Sequence, residues 1–106
     1  MTTKNYHIHF TPMAEDDLET IYDYISRELF ADSAAKKLMA KFDKKIMLLK
    51  QMPYSSPKCM DGNLCRRGFR KLIVDNYVAL YRVNDEIKEV LIFRIFYGRR
   101  DYEHLV

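Results

Sequence analysis

Eight cations stand where a polar stretch gives way to strand-like sequence and again near the far end of the chain: Arg66, Arg67, Arg70 and Lys71, then Arg82, Arg94, Arg99 and Arg100. A guanidinium holds phosphate through a two-point fork and can stabilise charge that develops during phosphoryl transfer. Tyr81, Tyr97 and Tyr102 are interleaved with these cations and offer rings on which unpaired bases could stack. The same set equally suits a basic surface that holds an acidic protein partner, and composition alone leaves the two readings level. Arg94 differs from the others because it interrupts the apolar run "VLIFRIFY". An unpaired guanidinium there would be costly, so it must meet a carboxylate such as Asp17 or Asp23, or open onto solvent.

Other chemistries are weaker. There is no G-x-S-x-G elbow and no glycine-rich phosphate loop, which removes those hydrolase and nucleotide-binding classes. His7 and His9 have a spacing that can hold a metal, but they lack an obvious carboxylate partner and read better as a solvated strand face. Neither a metal nor another cofactor is expected. Cys59 and Cys65 are too few for a disulfide framework or a four-cysteine zinc site, so reduced thiols are expected. Of Met39, Met47, Met52 and Met60, the first two fall within a helical apolar surface and read as core packing. The run Glu15 to Glu19 reads as a first helical turn whose carboxylates complement the helix dipole.

Those side chains need elements to position them. Tyr6, Ile8 and Phe10 alternate with His7 and His9, the period of a half-buried strand over 6–10. Thr11 before Pro12 predicts an N-cap and a first-turn proline, opening a helix over about 12–29 with Leu18, Ile21, Tyr22, Ile25 and Leu29 as its apolar stripe. A break around Phe30-Ala31-Asp32, capped by Asp32 or Ser33, starts a second helix that buries Ala35, Leu38, Met39, Phe42, Ile46 and Leu49 and stops near Gln51, ahead of Pro53. The short link predicts an antiparallel helical hairpin. After a loop from Met52 to Arg67, strands are expected at about 69–74, 77–83 and 88–97, with turns at Asp75-Asn76 and Asn84-Asp85-Glu86. The last strand is apolar on both alternating sets, which makes it central. The fold class is α+β: an N-terminal strand and a helical hairpin packed on a small sheet that a three-stranded antiparallel meander completes.

With 106 residues, 48% of them hydrophobic and 31% charged, the chain is expected to form one domain over 1–106. No apolar run approaches the roughly 20 residues that span a bilayer, and "MTTKNYH" lacks a signal-peptide core, so a cytoplasmic location is expected. The net charge of +3 is small but uneven. Lys58, Arg66, Arg67, Arg70 and Lys71 face only Asp61 between Pro57 and Lys71, whereas the first helix is acidic, which predicts a basic and an acidic side.

The segment "FRKLIVDNYVALYRVNDEIKEVLIFRIFYGRRDYEHLV" resembles the toxins of bacterial type II toxin–antitoxin modules, the RelE/ParE superfamily. Its most specific piece is the closing "RIFYGRRD", and the strand and "TPMAEDDLETIYDYI" helix ahead of it agree. The resemblance implies an α+β toxin held inactive by an antitoxin whose tail wraps over it. It also implies one of two activities: a RelE-like branch cleaves mRNA in the ribosomal A site, and a ParE-like branch poisons DNA gyrase. For the nuclease branch Arg70 keeps a positive charge where a Lys is expected, and Arg100 matches the Arg after the glycine. Leu72 and Val78 replace a Lys and an Arg, and the late Tyr falls at about Val106, leaving Tyr102 or His104 as substitutes. Loss of a cation at Val78 removes transition-state stabilisation. The resemblance is therefore closer to the ParE-like branch, leaning away from an enzyme, with mRNA endonuclease as the alternative and a non-toxic protein-binding module as the second. Target or antitoxin contacts are expected at Arg67, Arg70, Lys71, Arg82, Arg94, Tyr97, Arg99 and Arg100. If the chain is a nuclease, Arg70, Arg100, Tyr102 and His104 are the candidates.

Overall fold

The computed structural model describes residues 5–56 and 67–98. Strand β1 (His7–Phe10) leads into helix α1 (Pro12–Asp23), a π-helical turn (Tyr24–Glu28) and helix α2 (Asp32–Leu48). Strands β2 (Arg70–Val74), β3 (Tyr77–Asn84) and β4 (Glu89–Tyr97) follow. The sheet order is β1-β4-β3-β2, with β1 parallel to β4 and the other pairs antiparallel. The meander expected from the sequence is present, and β4 lies between two partners.

Thr11 caps α1: its hydroxyl accepts from the Ala14 amide at 3.1 Å, and Pro12 follows it as expected. The same hydroxyl donates to the Phe93 carbonyl at 2.7 Å, and the Thr11 amide donates to Ile92 at 3.0 Å. Thr11 thus continues the β1–β4 ladder for one more step while starting the helix. The π turn shifts the phase of the first helix, so Leu18, Ile21 and Ile25 pack on the core while Leu29 is exposed, not buried as the stripe predicted.

The second cap also differs from expectation. Ala31 occupies the N-cap position of α2 without a side-chain bond. Asp32 instead looks back at the preceding turn, accepting from Ser26 at 2.9 Å and Tyr22 at 3.3 Å. The Ser26 bond, with the Lys36 charge beside it, holds this carboxyl below its ordinary range. Asp32 therefore ties the helical hairpin together across its bend.

The helices cover one face of the sheet. Phe42, Ile46, Leu49, Val74, Tyr81, Val90 and Ile92 form the centre of that core. A smaller cluster of Phe69, Val78, Leu80 and Phe96, with Phe93 against it, lies on the other face. A bulge makes this second cluster reachable from β4: Leu80 pairs with Arg94 and Tyr81 with Ile92, which leaves Phe93 as the extra residue. No helix among the described residues is long and apolar enough to cross a membrane.

Candidate functional site

Alternation along β3 sends Tyr77, Ala79, Tyr81 and Val83 toward the helices and Val78, Leu80 and Arg82 to the other face. On that helix-free face Arg82 lies over two rings, 5.5 Å from the Phe69 centroid and 5.3 Å from that of Phe93. Arg67 approaches the same Phe69 ring at 5.2 Å, and Arg82 donates to its carbonyl at 3.3 Å. The rings themselves meet edge to face at 4.8 Å. Two cations thus ride on an aromatic pair, exposed, and line a cleft of about 330 Å³ with Asn84, Asp85 and Glu89. Such stacking orients a guanidinium while leaving its N–H groups available to an acidic ligand.

Arg94 is held differently. Its guanidinium forks onto Asp17, with N–O distances of 2.8 and 3.1 Å, and both side chains are largely buried. The Asp17 hydrogen bond raises the Arg94 pKa further, against the opposing effect of burial. Asp17 also accepts the Ile95 amide at 2.8 Å, which satisfies the β4 edge beyond the end of β1. Of the two carboxylates the sequence offered, Asp17 is the partner. The pair forms the floor of a cavity of about 510 Å³ whose wall includes Ile21, Tyr24, Tyr77 and Tyr97. Tyr97 stacks edge to face on Tyr77 at 5.8 Å and is exposed.

Arg70 belongs to neither group. It is opposite Tyr81 in register, donates to the Ser56 carbonyl at 2.7 Å and lies 4.8 Å over the Tyr54 ring. Lys71, one residue on, takes the helix-free side and lines a separate cleft beside Ile73 and Gly98. The expected single outward surface of cations is therefore divided: Arg67 and Arg82 come together, Lys71 shares their face, Arg94 is paired internally, and Arg70 anchors the loop after α2. Arg66, Arg99, Arg100, Tyr102, His104, Cys59 and Cys65 lie outside the described residues. His7 and His9 are exposed, and the described residues include no cluster of three or more metal-ligating side chains.

Gly98, just before the paired arginines, is held against the β2–β3 turn. Its amide donates to the Asn76 carbonyl at 2.8 Å, and a Cβ there would sit 3.2 Å from that oxygen and 3.3 Å from Val78. Close approach of the β2–β3 turn is what calls for glycine here.

The sequence did not reveal a second node. Asp85, in the β3–β4 turn, accepts from Tyr6 and from Tyr54, each at 2.6 Å. The Asp85 bond pushes the Tyr54 phenol up to about 12 and raises that of Tyr6 too. With Tyr81 donating to the Pro53 carbonyl at 2.8 Å, Tyr54 and Tyr81 fasten the loop after α2 to the sheet, while Tyr6 ties the start of β1 to the β3–β4 turn. These partners are 28 to 79 residues apart in the chain, so no local pattern announced them.

Solved structures of the same fold identify the class. One is a chromosomal ParDE toxin–antitoxin system from P. aeruginosa, 23% identical, covering 89% of this chain and 97% of that one with a TM-score of 0.70. Another is the RelBE2 toxin–antitoxin complex from Mycobacterium tuberculosis, 25% identical, covering 88% and 91% with a TM-score of 0.63. The fold is that of the RelE/ParE superfamily. The sequence profile described as "ParE toxin of type II toxin-antitoxin system, parDE" matches residues 8–102, and the chain belongs to that family. No curated protein sequence matches it at a significant level.

Proposed function

We propose that this ParE-type toxin inhibits growth through DNA gyrase, by binding and not by nucleolysis, and that a cognate antitoxin neutralises it in the cytoplasm. The observation that carries this reading is the composition of the helix-free face. Val78, where the nuclease branch would place an arginine, is buried with Phe69, Leu80 and Phe96. Arg70 and Arg94 are engaged inside the fold, and Arg67 and Arg82 lie over rings, a surface suited to contact with a protein. Arg67, Lys71, Arg82 and Tyr97 are the described residues offered to target or antitoxin, with Arg99 and Arg100 as further contacts.

Gyrase supercoiling of relaxed plasmid measures this directly. Added toxin should block supercoiling, and an Arg67→Ala/Arg82→Ala variant should need at least tenfold more protein for the same effect. Unaltered supercoiling, with new cuts in translated mRNA, would overturn the proposal in favour of the ribosome-dependent branch.

A further inference from the structure

Helix α1 carries five carboxylates and no cation, whereas its neighbour α2 carries Lys36, Lys37, Lys41, Lys44 and Lys45 against Asp32 and Asp43. The buried stripe of α2 is Ala35, Leu38, Phe42 and Ile46, so Lys37, Lys41 and Lys44 fall on the opposite side, all exposed. Lys41 reaches Asp75 at 3.1 Å and Lys45 donates to the Ile73 carbonyl at 3.0 Å, which joins the helix face to the edge of β2. Lys36 is paired with Asp32 at 3.5 Å.

From these placements we infer that the outer face of α2 is a contact for the phosphate backbone of duplex DNA, centred on Lys37 and Lys44. The face from Lys37 to Lys44 is about 10 Å long at 1.5 Å per residue. One DNA strand presents a phosphate about every 3.4 Å along the axis, so three phosphates fall within that reach. The chemistry selects a backbone ligand. Lysine ammoniums are point charges that follow phosphates without demanding fork geometry. Around them the helix offers Ala34, Ala40 and Leu48, and no arginine or aromatic anchor of the kind that fixes a protein partner. The contact is thus sequence-independent and sensitive to salt. It does not depend on gyrase being the target.

Binding of a fluorescent 20-base-pair duplex, followed by anisotropy, tests this on the whole chain. Three phosphate contacts predict an affinity about 40-fold weaker at 200 mM than at 50 mM salt. Lys37→Gln/Lys44→Gln should reduce affinity at least tenfold at 50 mM and lower the logarithmic salt slope by about two, since each contact adds about 0.9. Both positions are exposed and make no internal bond among the described residues, so an unchanged circular dichroism spectrum is expected. Absence of duplex binding at 50 mM, or equal binding by the variant, overturns the inference. Loss in the variant of binding to a poly-glutamate peptide, with duplex binding unaltered, overturns it in favour of an acidic protein partner.

Discussion

The two faces of the sheet treat charge in opposite ways. On the helix side the apolar core is continuous, and the cation that borders it, Arg94, is matched by a two-point carboxylate that also caps a strand amide. On the other side four buried residues form a small cluster, and its cations rest on rings instead of carboxylates. An ion pair closed within the fold contributes to its integrity and has little left for a partner. A guanidinium stacked on a ring is oriented but not neutralised, so it can still meet an external acid. One face therefore maintains the structure, and the other is suited to contact.

The contrast can be broken most severely at the core. Phe42→Ala removes a ring that is 2% exposed and tilted against Tyr77 with centroids 6.0 Å apart. A loss of about 3–5 kcal/mol is expected in urea unfolding. A smaller effect should follow from Asp17→Asn, which leaves Arg94 half-matched: roughly 2–4 kcal/mol, with part recovered when Arg94→Met is added. If the double variant is no more stable than the single one, the pair is not the source of the effect. The smallest effect sharpens the comparison. Arg82→Ala should change stability by less than about 1 kcal/mol, because exposed cation–ring contacts are weak. Growth inhibition in expressing cells should nevertheless fall. A variant as toxic as the parent would remove Arg82 from the contact surface.

Much of this architecture was legible in the chain. Thr11-Pro12 announced the start of α1, Pro53 the end of the second helix, and the doubly apolar "VLIFRIFY" the central strand. Each of these is a signal carried within a few residues. Legibility failed where distant segments compete for a side chain. Asp32 looked like an N-cap, but Ser26 and Tyr22 claim its carboxylate. Leu29 fitted the helical stripe until a π turn rotated it outward. The lysines of α2 were visible at helical spacing, yet only their exposure opposite the buried stripe marks them as one face.

The sequence by itself determined the elements, their order and the family, because periodicity and turn chemistry act over short stretches. Only the tertiary structure decided which cations are available. Arg70, Arg82 and Arg94 are alike as residues, and all three lie on adjacent strands. A loop folded back from α2, a bulge at Phe93 and an edge left open by β1 send them to a carbonyl, to two rings and to a carboxylate, respectively. A guanidinium's role follows from its nearest partner, and each of those partners is supplied by chain that lies far away or on a neighbouring strand.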